Sequence, residues 1–188
     1  DGPTMTPAAR LAAAADLLDG IAAGQSAEQA LTRWARRSRF AGSKDREAVR
    51  DAVYDVLRMR RSCAARGGGT TGRALVLGLL RERGADPGAV FTGAGHAPAP
   101  LTPAEIAGGR APTPEEALDL PDWLLPELRA SLGPDLPAVA ACLRQRADLF
   151  LRWHEGRTTA EAAIASLAQD GVTAQAHPLA PTALRVAA

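Results

Sequence analysis

Few residue types able to do chemistry occur in this 188-residue chain, and they are scattered. Cys63 follows Ser62 and Cys142 follows Ala141, and both fall in segments that read as helices. A thiol becomes a nucleophile beside a base or in an electropositive setting, and neither cysteine has a nearby His or a strand-end position. His96, His154 and His177 lack metal-ligand spacing, so no metal is expected. Glu115 and Glu116 sit at a helix start, where the helix dipole already accounts for them. Gly67 to Gly72, GGGTTG, matches G-x-G-x-x-G to the letter. A basic helix precedes it where a dinucleotide site needs a strand. Arg73 and Ala74 follow where a phosphate loop needs Lys and Ser/Thr. It reads as a helix-to-helix turn.

What the chain does concentrate is positive charge. The net charge is +1, yet Arg33 to Arg66 carries eleven basic and four acidic residues, a local +7 against −6 for the remainder. Such a segment points to a polyanionic partner, and equally to a solvated helix surface. Lys44 is the single lysine among 22 basic residues, a bias that nucleotide composition would also produce. With no signal peptide and no apolar run near the ~20 residues that span a bilayer, the expectation is a soluble, cytoplasmic protein with reduced thiols. Met5 is a plausible natural start, leaving Asp1 to Thr4 as an appended remnant and residues 1–5 outside the fold.

The elements that must hold the basic segment are helical. A 46% hydrophobic fraction with only seven aromatics calls for a core of Leu, Val, Ile and Ala, which suits packed helices. Thr6-Pro7 opens a first helix, with Leu11, Ala14, Leu18 and Ile21 as its stripe and Gly24 as terminator. A second starts at Ser26, buries Ala27, Ala30, Leu31 and Trp34, and ends in Arg33, Arg36 and Arg37, favourably placed against the dipole. The best-patterned stretch runs from Phe40 to Arg61. Ser43 opens it, and Val49, Ala52, Val53, Val56 and Leu57 form its apolar face. A short helix over Arg73–Arg83 follows the glycine turn. Asp86 to Pro114 reads as a surface connection with one helical turn near Pro103–Ala107. Further helices start near Pro114 and Leu120, the latter ending at Gly133. A last one covers Pro137–Arg146, with Val139, Leu143 and Cys142 inward. After Arg146 the period changes: strands at Asp148–Trp153, Val172–Ala176 and Ala183–Val186 flank a helix capped by Thr158-Thr159, with Ile164 and Leu167 inward. That is β-α-β with a trailing strand, about half a ferredoxin-like sheet, so the chain is expected to stop inside a domain. The expected fold is mostly α, a helical bundle over residues 6–145 followed by a partial ferredoxin-like α/β segment over residues 146–188.

Three groups of residues resemble the N-terminal part of the bacterial small-subunit rRNA 5-methylcytosine methyltransferases of the Sun, Fmu or RsmB type. They are Phe40-Ala-Gly-Ser-Lys-Asp45-Arg46 with Val53-Tyr54-Asp55-Val56-Leu57-Arg58; Pro121-Asp-Trp123-Leu-Leu-Pro-Glu-Leu with Gly133; and Phe150-Leu-Arg152 with Thr158-Thr159, Leu167, Gly171 and Pro178-Leu-Ala-Pro181. The resemblance implies a first domain with the NusB-like helical fold, regarded in this family as RNA-associated. A small linker domain and a Rossmann-like domain using S-adenosylmethionine would follow. Trp153-His154 departs from the family's usual Val-Asn. The catalytic domain, with its nucleophilic and product-releasing cysteines, is absent, and neither Cys63 nor Cys142 stands in the family's Pro-Cys or Thr-Cys context.

The leading expectation is therefore an RNA-binding region that positions ribosomal RNA for a catalytic domain elsewhere and is inactive alone. It has no catalytic residue or cofactor of its own, and S-adenosylmethionine is implied only for the parent protein. Arg33, Arg36, Arg37, Arg39, Lys44, Arg46 and Arg50 would contact phosphates. Binding would be shape-led, with few aromatics to stack bases. The alternative is a NusB-like protein-interaction or antitermination-type module, docking a ribosomal protein or its own catalytic domain. A β-containing tail disfavours a stand-alone antitermination factor.

Overall fold

Residues 5–186 are described by a computed structural model, so Asp1 to Thr4, the proposed remnant, lie outside the described residues. The chain divides into two compact units, one up to Arg144 and one from Gln145. The first is a helical bundle: α1 (Pro7–Ala22), α2 (Ala27–Arg37), α3 (Ser43–Arg58), α4 (Arg60–Gly67), α5 (Gly72–Glu82), α6 (Pro103–Ala107), α7 (Leu125–Leu132) and α8 (Leu136–Leu143). Its core joins Leu17 and Leu18 of α1, Leu31 of α2, Val49, Val53 and Val56 of α3, and the Leu75–Leu80 run of α5. Thr6 caps α1 as its sequence demands, accepting from the Ala9 N–H at 3.2 Å.

The long basic helix read from Phe40 to Arg61 is two helices. The chain breaks at Met59 (φ −119°, ψ 33°), and α4 turns onto α5. Two contacts fix that turn. The buried Asp119 carboxylate accepts from the Ser62 N–H and hydroxyl, both at 2.8 Å, satisfying donors at the α4 start. Arg61 donates to the Leu120 carbonyl and pairs with Asp122 at 2.7 Å. These bonds anchor the Leu120–Trp123 stretch to α4. Ser43, expected to cap α3, is instead its first helical residue. Gly42 is the cap, and Asp45, three residues in, accepts from the Gly42 N–H at 3.0 Å.

The glycine run is explained by packing. A Cβ on Gly67 would sit 1.8 Å from the Ala74 carbonyl oxygen, and on Gly72 1.9 Å from that of Ala15. Gly78 approaches the Cys63 carbonyl oxygen equally closely, at 1.9 Å from its would-be Cβ. The Gly72 N–H, which a phosphate loop would offer to its ligand, donates to Asp19 at 2.6 Å. The run lets α5 lie directly on the backbones of α1 and α4.

The predicted connection from Asp86 to Pro114 is tied down rather than loose. Thr102 and Glu105 form a capping box at α6. Glu105 receives Arg73 Nε at 2.6 Å and Nη2 at 3.1 Å, and Arg81 donates to the Arg66, Glu105 and Gly108 carbonyls. The hydrogen bonds from Arg73, then from the Thr102 N–H, hold Glu105 down to about 2 from 4.5. In α8 the inward residues are Leu136 and Ala140, while Cys142 is exposed and Leu143 is 61% exposed. The helix ends at Leu143, three residues short of the predicted Arg146, so the expected inward face is turned.

The second unit is an antiparallel sheet in the order β1–β3–β2: β1 (Leu149–Arg152), β2 (Ala174–Ala176) and β3 (Ala183–Val186), with α9 (Ala160–Gln169) between β1 and β2. Leu149 faces Val186 and Leu151 faces Leu184, while Ala174 and Ala176 face the same two residues from the other side. Side chains alternate across a strand, so one sheet face is apolar and the other carries Phe150, Arg152, Arg185 and Gln175. This is the partial ferredoxin-like segment expected, a split β-α-β.

Two outcomes follow. Gly78→Ala should destabilise the protein by about 1–3 kcal/mol or more through forced separation of α4 and α5. Gly24→Ala, strained only by its φ of 100° with nothing within 4 Å, should cost about 1 kcal/mol; urea midpoints compare the two. For pH, Glu105 ionises more easily folded than unfolded, so its contribution is present above about pH 4.5 and lost as pH falls toward about 2. Glu105→Gln should flatten that acid limb in urea titrations between those pH values, and an unchanged limb would refute the assignment.

Candidate nucleic-acid interface

The basic segment is organised by one buried acid. Asp45 is fully buried, and its Oδ1 takes Arg10 Nε at 2.9 Å and Nη2 at 2.7 Å. Its Oδ2 accepts the N–H of Met5 at 3.2 Å and of Gly42 at 3.0 Å. Burial acts to raise the Asp45 pKa, but the Met5 and Gly42 donors and the Arg10 guanidinium outweigh it and hold the carboxyl below its ordinary value. These bonds lock the start of α1 to the start of α3 and fix the five-residue connector leading in from α2.

Around that junction stand the predicted contact residues. Arg33, Arg36, Arg37, Arg39, Lys44, Arg46 and Arg50 are all exposed. Arg33, Arg36 and Arg37 share a face of α2 at i, i+3, i+4 spacing, turned away from the buried Leu31. Arg39 lies in the connector. Lys44 and Arg46 flank Asp45 in the first turn of α3, with Arg50 one turn on. Among the described residues, none of the seven lies in an ion pair with a carboxylate. Arg33 bonds only neutral groups, the Gln29 carbonyl and the Gln25 side chain, each at 3.3 Å. By contrast, ten arginines elsewhere, from Arg10 to Arg185, are each ion-paired.

Two cations in the first turn of a helix oppose its dipole. Lys44 and Arg46 therefore have no local reason to be there, whereas Arg36 and Arg37 in the last turn of α2 do. Sequence reasoning named these seven residues, which the fold leaves exposed, but missed what frames them. Asp45 stood as part of the Phe40–Arg46 motif, and Phe40, 61% exposed beside Arg39, was read into the stretch over Phe40–Arg61. The signal for Phe40 was its place in the Phe-Ala-Gly-Ser stretch, too glycine-rich to be helix interior.

The cysteines stand apart from this region. Cys63 is buried against α5, and burial first, then the nearby Asp119 and Glu82, pushes its thiol up to about 12, leaving it protonated. Among the described residues no group of three or more His, Cys, Asp or Glu is placed to hold a metal ion. Likewise no helix is long and apolar enough to cross a membrane.

Comparison with known proteins bears on both units. Residues 120–188 match the family model of the Methyltr_RsmF/B-like, ferredoxin-like domain. That match begins at the Leu120–Trp123 stretch, upstream of the break between compact units, so α7 and α8 pack with the bundle yet match the model of the second domain. No curated protein matches the chain. Among solved structures, the crystal structure of PH0851 aligns with 14% identity and a TM-score of 0.58, covering 100% of this chain and 50% of that one. At that identity the likeness speaks for the fold, and the chain spans half the length of PH0851. The resemblance to the Sun, Fmu or RsmB type of methyltransferase read from the sequence thus agrees with the family model over residues 120–188.

Asp45→Ala should cost about 3 kcal/mol, because it strands a half-buried guanidinium and two backbone donors. Arg46→Ala, one residue on and exposed, should stay within about 0.5 kcal/mol. Chemical denaturation decides between them, and equal losses would contradict the assignment of roles.

Proposed function

We propose that this chain is the RNA-binding N-terminal region of a cytoplasmic, S-adenosylmethionine-dependent rRNA cytosine-C5 methyltransferase. In this reading the bundle is a NusB-like domain that holds ribosomal RNA, and the methyl transfer belongs to a Rossmann-like domain outside this sequence. No residue of this chain is assigned to the cofactor or to the chemistry. The observation that carries the reading is the set of seven exposed cations around the α2–α3 junction, none ion-paired among the described residues, where most other arginines face carboxylates. Charge left unpaired at the surface keeps its field for a partner, and Arg offers phosphate two parallel N–H donors. The match of residues 120–188 to a methyltransferase-associated domain supplies the RNA context.

A second reading, protein docking, has one observation in its favour: Trp123 is 78% exposed on the bundle, away from the basic junction. Charge reversal separates the two.

For four to seven phosphate contacts, log K for single-stranded RNA should fall with log salt at a slope of about −3 to −5. Arg36→Glu, Arg37→Glu and Arg39→Glu together should abolish RNA binding with unchanged circular dichroism, while docking through an apolar face would survive. A flat salt response between 50 and 200 mM, on the order of the range where such contacts are lost, would sink the phosphate-contact reading.

A further inference from the structure

We infer that the cleft beside the basic junction receives an unpaired nucleobase of the bound RNA; the inference rests on the RNA-binding reading and adds a second kind of contact to it. The cleft has a volume of about 760 Å³ and lies between the first turns of α1, the Trp34 side of α2, Phe40 of the connector and the loop at His96. Its floor is made of small residues, Ala9, Ala12 and Ala13, which leave room that a Leu or Val would fill. Two of the chain's seven aromatics line it. Trp34 is half-buried, its packed side against the core and another part in the cleft. Phe40 is 61% exposed, a large apolar ring that contributes little to the core.

The charges determine which occupant fits. Arg37 stands at i+3 from Trp34 on α2 and Arg39 precedes Phe40, while Arg33 and Arg36 line a separate surface depression with Glu28 and Gln29. A chain whose phosphates follow Arg37 and Arg39 therefore passes the cleft mouth. Among the lining residues the one acid is Asp16, an exposed carboxylate. A carboxylate repels phosphate but accepts from the exocyclic amine or ring N–H of a base. The anionic backbone is thus held outside and the neutral, planar, N–H-bearing part is drawn in. Aromatic side chains stack any base at about 1–3 kcal/mol each, with little regard to sequence. A paired base cannot enter, so the cleft favours single-stranded or looped RNA over duplex. Seven surface cations alone would show no such preference.

The test uses two RNAs of equal charge, a hairpin with one 2-aminopurine in its loop and a blunt duplex with the same base paired. Binding of the hairpin by the full chain should quench the 2-aminopurine. Phe40→Ala should abolish the quench and weaken hairpin binding about 5- to 100-fold, leaving duplex binding and the salt slope unchanged. Ala12→Leu, which narrows the cleft without altering charge, should act in the same direction. A folded-state check by urea midpoint accompanies both variants. If both bind hairpin and duplex as the parent chain does, with the salt slope intact, the base pocket is refuted and the phosphate surface stands. If the parent chain binds neither RNA in a salt-dependent manner, the RNA reading falls and the pocket with it. If an amphipathic peptide, and not the hairpin, perturbs Trp34 fluorescence, the cleft is a protein-docking groove and the inference is overturned.

Discussion

The geometry of the basic junction depends on the burial of the Asp45 carboxylate. An ionised carboxylate removed from water is tolerated only when its lone pairs are filled, and here two guanidinium donors and two backbone N–H groups fill them. The donors come from three places in the chain: the α1 start, the first turn of α1, and the cap of α3. Meeting their needs at a single side chain fixes where α1 begins relative to α3, and hence where the connector from α2 must run. The apolar face of α3 below it, from Val49 to Val56, then packs in one register.

Arginine is used in two ways in this molecule, and burial separates them. Inside the bundle, Arg73 and Arg81 act as struts that bind α6 to α5, using the fork of the guanidinium to satisfy carbonyls and the Glu105 carboxylate together. Arg73 also lies over the Phe91 ring at 4.7 Å. These bonds hold a segment rich in Gly and Pro that would otherwise have no regular structure to stabilise it. Around the α2–α3 junction the guanidinium groups meet no carboxylate among the described residues, Arg33 bonding only the Gln29 carbonyl and the Gln25 side chain, and they stay exposed. The same residue type thus supplies internal bracing in one place and surface field in the other, with carboxylate supply making the difference.

Much of the local structure was legible because it follows short-range rules. Thr6-Pro7, the stripe of α2, the Pro103 turn, Gly133 and the split β-α-β order all stand where capping and periodicity put them. The misreadings share one cause, a partner distant in sequence. Nothing local to Met59 ends a helix; the break there is held by Asp119 and Leu120, nearly sixty residues on. Ser43 is a good cap by type, but Asp45 is already committed to the Gly42 N–H because Arg10 fixes its orientation. Gly67 to Gly72 is the helix-to-helix turn it reads as, but that Gly67, Gly72 and Gly78 sit where the backbones of α1, α4 and α5 cross is not visible locally. The site shows the same division. Its charges were countable from sequence, while the cleft beside them required knowing that the α1 alanines, Trp34 and the loop at His96 converge.

The electrostatics of α3 link the clamp to the function. Lys44 and Arg46 add positive charge to a helix end that is already positive, an arrangement that would ordinarily be relieved by an acid in the same turn. Asp45 occupies that turn, but its charge faces inward and is consumed by Arg10 and the two N–H groups. It therefore stabilises the fold without neutralising the surface above it. An exposed acid at the same position would have lowered the local field. Burying the acid separates the two tasks, structural satisfaction below and uncompensated cationic charge above. That uncompensated charge is maintained at some cost to the free molecule, a cost that binding a polyanion would relieve.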